Sequence, residues 1–294
     1  MNALPASPPP SPPAAPVAAL IQMTSGIDPA ANLATIDRAM GEAATDGAVM
    51  AFLPEMSLLL DRDRARSAAH ITREADSPWV IALQEMTQKH GLWLHSGSMP
   101  LLADDGERRV NRSHVIAADG SIRARYDKIH MFDVTLPSGE NWQESAAYAG
   151  GDALTVVDTP LGRLGLSICY DLRFPELYRA LVDHGATLVA IPAAFTVSTG
   201  EAHWHALMRA RAIETGCHVV AAAQCGTHED GRQTYGHSVA IDPWGTILVD
   251  AGARENPGKE GYVLMTAPIS AAAVDRARQS IPIARSRSIR NLKL

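Results

Sequence analysis

One cysteine of the chain stands where a buried strand gives way to a polar turn. The segment is GLSICYDLRFPEL, residues 165–177, in which Cys169 follows an apolar run and is itself followed by charged residues. A thiol in this position has four possible roles: a small core side chain, a disulfide partner, a metal ligand or a nucleophile. The rest of the chain has to distinguish between them.

Other reactive side chains also follow predicted strands. Glu55 ends the apolar run AVMAFLPE, Lys128 ends IRARYDK, Cys169 ends GRLGLSIC, and Phe195 and Thr196 follow VAIPAA. Sites in layered α/β proteins lie beyond the carboxyl ends of strands. A carboxylate can take the proton of a thiol, and an ammonium favours the thiolate and stabilises an oxyanion. The three groups together predict attack on a carbonyl or nitrile carbon, a covalent thioester and its hydrolysis.

The overall composition excludes several classes of function. The chain has 294 residues and a net charge of −6, from 26 basic and 32 acidic residues. This balance disfavours nucleic acid and anionic membranes as partners, and no apolar stretch approaches the roughly 20 residues that cross a bilayer. The cysteines at 169, 217 and 225 show no disulfide or metal-ligand spacing, which favours a reducing cytoplasm. We expect Cys217 and Cys225 to be inert.

The order of predicted elements indicates one α/β domain over residues 17–280. Residues 1–16 hold seven prolines and are expected to be a disordered tail, and residues 281–294 a basic, extended tail. Strands alternate with helices between them, and hairpin signals stand at Asp119-Gly120 and at residues 242–245. This pattern predicts two sheets packed face to face with helices outside each. We predict helices between 28 and 47 and over 66–90, 174–184 and 201–216, one strand over 217–225 and an irregular stretch over 133–153.

Three blocks of the chain resemble the signature blocks of the nitrilase (carbon–nitrogen hydrolase) superfamily. They are AFLPEMSLL, RYDKIHMFDV and GLSICYDLRFPEL, in this order. The resemblance implies an α/β fold, namely a four-layer αββα sandwich, over residues 17–280. It also implies Glu55 as general base, Lys128 as oxyanion-stabilising lysine and Cys169 as nucleophile, with no cofactor and no metal. A further glutamate, Glu144 in WQESAAYAGGD, matches one that holds the lysine and assists the carbonyl chemistry.

Two later segments resemble one branch of this superfamily. AAFTVSTGEAHWHALMRARAIETGCHVVAAAQCG and YGHSVAIDPWG are similar to the deaminated glutathione amidases, near neighbours of the omega-amidases. The resemblance implies hydrolysis of a linear, non-peptide C–N amide bond through a thioester, with release of ammonia. The alternatives are an omega-amidase acting on 2-oxoglutaramate or another aliphatic amidase. A different class, a catalytically idle binding scaffold, would lack one of the triad residues, and all three are present.

The implied substrate is a small carboxylated amide, and this predicts how the residues after the nucleophile act. The planar guanidinium of Arg173 suits a carboxylate, with Phe195 and the Thr196 hydroxyl beside it. Alternatively, Arg173 pairs with Asp171 or with Glu176 at the helix start. The backbone N–H of Tyr170, next to the nucleophile, is expected to complete the oxyanion hole with the catalytic lysine.

Two remaining features concern metal binding and self-association. His203 and His205 invite a metal site, but at i and i+2 on a helix their imidazoles point apart. His237 is expected to be a hydrogen-bonded core histidine. Members of the superfamily pair across the helices that follow the nucleophile strand, so the resemblance implies a homodimer or larger homo-oligomer through 174–184 and 201–216.

Overall fold

Strands and helices alternate along most of the computed structural model, which describes residues 15–103, 106–136, 139, 141–253 and 260–283. Both predicted tails therefore fall almost wholly outside the described residues. The strands are β1 (Val17–Met23), β2 (Met50–Phe52), β3 (Trp93–His95), β4 (Met99–Leu102), β5 (Arg109–Ile116), β6 (Ile122–Asp127), β7 (Asp133–Thr135), β8 (Asn141–Gln143), β9 (Val156–Thr159), β10 (Gly162–Leu166), β11 (Leu188–Ala190), β12 (His218–Ala221), β13 (Cys225–Thr227), β14 (Gln233–Tyr235), β15 (Val239–Ile241), β16 (Ile247–Asp250) and β17 (Tyr262–Pro268). The α-helices are α1 (Pro29–Thr45), α2 (Arg64–Ala68), α3 (Pro78–His90), α4 (Pro175–Asp183), α5 (Val197–Thr215) and α6 (Ala271–Ser280). Short 3-10 helices cover Glu74–Asp76, Glu144–Ala146 and Cys169–Arg173.

Two mixed β-sheets carry most of these strands. The first has the order β17-β1-β2-β3-β5-β4, with β6 paired to β5, and the second has the order β16-β15-β12-β11-β10-β9. Strands β1, β2 and β3 are parallel to one another, as are β10, β11 and β12. The carboxyl ends of parallel neighbours meet at one edge of a sheet, so the loops after β2, β10 and β11 emerge at such edges.

The side chains of β1 show how the layers stack. Ala18 and Leu20 pack into a core shared with strands of the second sheet, whereas Ala19 and Ile21 pack against helices α1 and α3. Successive side chains of a strand point to opposite faces, so this alternation places the second sheet on one side and the helices on the other. Helices α4 and α5 cover the outer face of the second sheet. The predicted four-layer αββα order is confirmed.

The predicted helix over 66–90 is wrong as a single element. Helix α2 ends at Ala68, a 3-10 turn follows, and α3 begins only at Pro78. The side chain of Ser77 accepts the N–H of Val80, and Pro78 occupies the first helical turn, where a missing N–H costs nothing. The segment 66–90 therefore contains a helix start at Ser77-Pro78, and its helical spacing does not belong to one continuous helix.

The predicted strand over 217–225 is also wrong, because it is divided between two sheets. Strand β12 ends at Ala221, and Cys225 begins β13, which pairs with β14 in a separate two-stranded ribbon. The chain leaves the second sheet where the buried Gln224 amide is bonded, since its Nε2 donates to the Ser25 hydroxyl at 2.6 Å and to the Glu55 carbonyl at 3.0 Å. A buried amide is stable only with such hydrogen-bond partners, and here they lie outside the second sheet.

Helix α5 and the stretch over 133–153 hold more regular structure than predicted. Helix α5 begins at Val197, four residues before the predicted start at 201, and it includes Gly200. A Cβ on Gly200 would lie 2.2 Å from the ring of Tyr235, so glycine serves close packing there instead of ending the helix. The irregular stretch contains the β7–β8 ribbon, while Pro137 and Ser138 lie outside the described residues.

The two predicted hairpins are confirmed. Strands β5 and β6 pair across Asp119-Gly120, and β15 and β16 pair across residues 242–245. In the described ranges, every helix is too short or too polar for a bilayer crossing.

Gly97 positions the loop that carries Glu55. Its φ is +66°, and a Cβ added there would lie 1.9 Å from the carbonyl oxygen of Pro54. The neighbouring Ser98 donates its N–H to that same oxygen, and its hydroxyl accepts the N–H of Met56 at 3.1 Å. The loop after β2 is therefore clamped against the β3–β4 turn, and only glycine fits the contact.

We predict that Gly97→Ala destabilises the protein well beyond the cost of a left-handed backbone. The matched control is Gly47→Ala, where φ is +77° and a Cβ meets nothing within 4 Å. The control should cost about 1–2 kcal/mol, and Gly97→Ala about 1–3 kcal/mol more because backbone atoms must move. Urea unfolding followed by circular dichroism measures both values. Equal losses in the free energy of unfolding would show that the close approach to Pro54 does not add to the cost of Gly97→Ala.

Candidate active site

Glu55 lies three residues beyond β2 with its side chain buried. Its Oε1 accepts from Nδ2 of Asn111 at 3.0 Å and from Nζ of Lys128 at 2.9 Å. Its Oε2 accepts the backbone N–H of Ala194 at 3.0 Å. These donors come from β5, the end of β6 and the loop after β11, so the carboxylate is fixed by three separate parts of the fold.

Lys128 follows β6 directly, and its side chain is 2% exposed. Besides Glu55, its ammonium contacts both carboxylate oxygens of Glu144, at 3.0 and 2.8 Å. Glu144 opens the 3-10 helix after β8, and its Oε2 also accepts the N–H of Phe132 at 2.7 Å. The structure thus brings Glu55, Lys128 and Glu144 together, as the resemblance implied.

The prediction that Cys169 ends a strand is wrong, because β10 ends at Leu166 and Cys169 lies three residues further on. It begins a 3-10 helix with φ of +49°, a left-handed value that is uncommon for a residue with a side chain. Its N–H donates to the carbonyl of Pro192 at 2.9 Å, which holds the turn in place. Such a conformation costs about 1–2 kcal/mol and aims one side chain at a defined point.

The charges around the thiol disfavour its ionisation in the empty site. Burial raises the pKa of Cys169 well above its ordinary value, and the negative charge of the Glu55 carboxylate raises it further. The Lys128 ammonium lowers that pKa but does not offset the other two effects. For Lys128, burial alone would lower the pKa, but Glu144 and Glu55 raise it well above the ordinary value. The ammonium therefore stays charged beside a protonated thiol.

Asp171 ties the cysteine turn to the strand end that bears Lys128. Its side chain is fully buried, and its Oδ2 accepts from the Tyr126 hydroxyl at 2.7 Å and the Ile168 N–H at 2.8 Å. Its Oδ1 accepts the N–H of His130 at 3.0 Å and lies 2.7 Å from Nδ1 of that ring. Tyr126 and His130 flank the lysine along the chain, so this carboxylate fixes the thiol and the ammonium relative to each other.

Arg211 of helix α5 holds the other end of the same turn. Its Nε and Nη2 both donate to the carbonyl of Leu172, at 2.9 and 2.7 Å, and its Nη1 pairs with Glu214 at 2.7 Å. The guanidinium also lies 5.2 Å from the ring centre of Tyr178. A bidentate, planar donor of this kind orients a carbonyl more rigidly than a lysine would.

Cys169 and the three charged groups around it line a cavity of about 250 Å³. The predicted neighbours Tyr170, Phe195 and Thr196 line it as well. The Thr196 hydroxyl lies 2.8 Å from the hydroxyl of Thr199. The structure therefore brings seven of the eight predicted site residues to one cavity.

The eighth, Arg173, lies behind the cavity wall. Its guanidinium carbon is 5.7 Å from the ring centre of Tyr170 and 5.5 Å from that of Phe195, two side chains that do line the cavity. Its Nη1 lies 3.2 Å from Nδ1 of His203. The alternative pairing of Arg173 with Asp171 is not the one observed, since the carboxylate of Asp171 is bonded by Tyr126 and His130.

The two helix histidines point apart as expected. While His203 faces Arg173, His205 Nε2 lies 2.8 Å from Oδ2 of Asp250. His237, which is 19% exposed, is hydrogen-bonded as expected but is not fully a core residue, and its Nδ1 lies 2.9 Å from Oδ1 of Asp250. His205, His237 and Asp250 form the group within the described ranges that has the donor atoms to hold a cation. Both imidazoles already bond its carboxylate.

The other two cysteines have no part in the cavity. Cys217 and Cys225 are fully buried, and no disulfide joins the three cysteines within the described residues. Burial raises the pKa of Cys217 above its ordinary value although Arg278 lies 3.1 Å from its sulfur. The expectation that these thiols are buried packing residues is confirmed, although they do not share one strand.

Several residues that build the site were not predicted from the sequence. Asn111, Trp142 and Arg232 contact the catalytic groups or line the cavity. The available signal for Asn111 was a single amide inside the β-rich run RRVNRSHVI, where buried polar groups need partners. Trp142 and Arg232 lie in or beside irregular stretches, and no local pattern connects them.

The chemistry that this arrangement permits follows from the groups that it brings together. A thiol, a carboxylate that can take its proton and an ammonium line one cavity, and the ammonium is hydrogen-bonded to the carboxylate. The cavity is large enough for a small molecule. These are the parts of a nucleophile, a general base and an electrostatic stabiliser of developing negative charge.

Comparisons with known proteins agree with this geometry. The sequence profile of the carbon-nitrogen hydrolase family matches residues 17–279. The chain is 43% identical over 232 residues to the deaminated glutathione amidase of Yersinia enterocolitica, covering 78% of this chain and 80% of that protein. It is 41% identical over 244 residues to the deaminated glutathione amidase of Homo sapiens, covering 82% and 74%.

A solved structure shares the fold. The NitFhit protein of C. elegans superposes with a TM-score of 0.81 at 35% identity, covering 96% of this chain. This chain spans 66% of that longer fusion protein. The profile match over nearly the whole described domain and the identities above 40% establish that this chain belongs to the carbon–nitrogen hydrolase family.

Proposed function

We propose that the protein is an amidase that cleaves deaminated glutathione through a thioester on Cys169. The observation that carries the proposal is a buried carboxylate, hydrogen-bonded to an ammonium, that lines one cavity together with a thiol. The names of the relatives in Yersinia and human support the substrate.

In the first step, Glu55 takes the thiol proton as Sγ of Cys169 attacks the amide carbon. The S–C bond forms and the carbonyl electron pair moves to oxygen. Nζ of Lys128 and the N–H of Tyr170 are the donors that we assign to this oxyanion. Because the resting thiol is protonated, proton transfer and attack occur together, and no free thiolate accumulates.

Collapse of the tetrahedral intermediate breaks the C–N bond, and the nitrogen leaves with the proton that Glu55 holds. Water then enters, gives a proton to Glu55 and attacks the thioester carbon. The C–S bond breaks and Glu55 returns the proton to sulfur. The net reaction consumes one water and yields a carboxylic acid and an amine, with every proton transfer assigned to a group of this chain.

Glu144, Phe195, Thr196 and Arg173 have supporting roles in this proposal. Glu144 keeps the ammonium directed at the reacting carbonyl, since it contacts Lys128 through both oxygens. Phe195 and Thr196 line the cavity wall and limit the space for the acyl group. Arg173 supplies positive potential from behind Tyr170 and Phe195 toward the substrate acid.

The proposed substrate changes one expectation about the products. In deaminated glutathione the reacting carbonyl carries cysteinylglycine, so the leaving group is a primary amine of a dipeptide. Ammonia is the product only from a primary amide such as 2-oxoglutaramate. The two substrates share their acyl group, and both lead to the same thioester.

We also propose that the enzyme works where thiols are kept reduced, as in cytoplasm, and as a homo-oligomer. A catalytic thiol must stay unoxidised, and the three cysteines form no disulfide among the described residues. For self-association, helix α5 presents Ile213, which is 46% exposed, beside Trp244, which is 59% exposed at the β15–β16 turn. A second copy covering this apolar pair would bury it symmetrically.

The first test is hydrolysis by purified protein and by Cys169→Ala. We expect kcat/KM to be higher for deaminated glutathione than for 2-oxoglutaramate or simple aliphatic amides, and Cys169→Ala to lower turnover by at least about a thousandfold. Mass spectrometry after rapid quenching should find the acyl adduct on Cys169. The matched control, Cys217→Ala, should retain turnover because Cys217 is buried away from the cavity. Preferential cleavage of 2-oxoglutaramate would reassign the enzyme as an omega-amidase.

A second prediction separates the two effects of Glu55. Glu55→Gln should lower amide turnover by about a hundredfold or more, because the base is lost. The same change should speed alkylation of Cys169 by iodoacetamide at pH 8, because the carboxylate that raises the thiol pKa is gone and the thiolate fraction increases.

The alkylation is followed by peptide mass spectrometry, with Glu85→Gln on the exposed side of α3 as the control. That variant should match the wild type in both assays. Alkylation that is slower in Glu55→Gln than in the wild type would contradict the assigned electrostatics, provided that the two proteins have the same melting temperature.

The third prediction concerns self-association. Ile213→Glu should reduce the molar mass in solution to that of the 31.4 kDa chain, as measured by light scattering after size exclusion. The control is Ile81→Glu on α3, an equally exposed isoleucine on the opposite outer layer, which should leave the assembly intact. A wild-type protein that runs as a single chain at micromolar concentration would refute the proposed oligomer.

A further inference from the structure

The cavity has a second wall that is rich in arginine. The members of this cationic wall are Arg62, Arg64, Arg109 and Arg232. The acids nearby already have partners: Asp61 is bonded twice by Arg66, and the buried Asp230 lies between Arg62 and Arg232. The wall therefore retains a positive potential that the proposed mechanism does not use.

Two N–H donors on this side of the cavity are buried without a partner in the described chain. They are Nε of Arg232 and Nε1 of Trp142. The guanidinium carbon of Arg232 lies 5.1 Å from the ring centre of Trp142, so the two donors belong to one stacked pair. Leaving a buried donor unpaired is unfavourable, and two such donors side by side fit an acceptor supplied by a ligand.

Asp230 holds the guanidinium of Arg232 through Nη2, and the Nε–H has no acceptor in the described chain. Its Nη2 lies 3.2 Å from Oδ2 of Asp230, and its side chain is 18% exposed. The Asp230 Oδ1 also accepts the backbone N–H of Arg232 at 2.9 Å. A guanidinium fixed by one acid and stacked on an indole is preorganised for an anion.

An aromatic wall formed by Tyr170, Phe132 and Trp142 joins this pair to the nucleophile. The ring centres are 5.2 Å apart for Tyr170 and Phe132, and 6.0 Å apart for Phe132 and Trp142. An extended dipeptide reaches about 7 Å, which lies between one and two such steps. A leaving group two residues long can therefore run along part of this wall from the carbonyl at Cys169.

The charges along the cavity determine the direction in which a substrate lies. At the thiol, Glu55 and Glu144 repel a second carboxylate, whereas the cationic wall attracts one. We propose that Arg232 and Trp142 form a subsite for the carboxylate of the leaving amine, which is the glycine carboxylate in cysteinylglycine. This subsite rests on the proposed function and selects amides of amino acids and peptides over primary amides.

The test compares Arg232→Gln with the wild type on deaminated glutathione and on 2-oxoglutaramate, which share the acyl group. We expect the selectivity, the ratio of the two kcat/KM values, to fall by about ten- to a hundredfold in Arg232→Gln, mainly through KM for deaminated glutathione. Trp142→Phe keeps the aromatic face and removes the N–H, so its selectivity should fall less. Arg123→Gln, at an exposed position of β6, removes the same charge and should leave the ratio unchanged.

A substrate analogue gives the second arm. Deaminated glutathione whose glycine carboxylate is converted to a carboxamide should be a poor substrate for the wild type, and Arg232→Gln should not weaken its cleavage further. Equal loss on deaminated glutathione and 2-oxoglutaramate would overturn the subsite, because Arg232 would then serve the acyl group or the fold. A wild type that cleaves 2-oxoglutaramate but not deaminated glutathione would overturn the proposed function itself.

Discussion

The buried ammonium of Lys128 is the group on which the site depends. An isolated charge in a protein interior costs several kcal/mol, so it persists only where opposite charges and hydrogen bonds compensate it. Here the compensation comes from Glu55 after β2 and Glu144 after β8, both within 3.0 Å. Because these acids belong to elements distant in sequence, satisfying one ammonium fixes three loops together. Removing either acid would leave part of that charge unpaired.

The same ion cluster explains why the thiol is not ionised in advance. One ammonium is shared by two carboxylates, so the group is already net negative when Cys169 is protonated, and a thiolate would add a further negative charge. Thiolates at helix N-termini or beside histidine are favoured by an excess of positive charge, and this site has the reverse. The nucleophile forms only as its proton moves to Glu55. This protects the thiol from oxidation and alkylation until a carbonyl is in position.

The sequence allowed the two sheets, both hairpins and the set formed by Glu55, Lys128 and Cys169 to be predicted, since periodicity, turn residues and short motifs are local signals. It did not reveal that Asp171 bonds Tyr126 and His130, because a carboxylate beside an arginine suggests the nearer pair. Residues over 66–90 and 217–225 were misassigned where a capping serine or a buried amide outweighed hydrophobic pattern. Arg232 meets Trp142 only after both ribbons form, so nothing along the chain relates them.

Rigidity and charge act together in this cavity. The left-handed turn at Cys169, braced through Asp171 and by Arg211, allows the sulfur little freedom to approach a badly placed carbonyl. The substrate must therefore be oriented by its own charges. A carboxylate near the acids raises the free energy of the complex, and one at the arginine side lowers it, so the amide is aligned before attack. A negative ion cluster built to stabilise a lysine thus also disfavours a substrate carboxylate close to the reacting carbonyl.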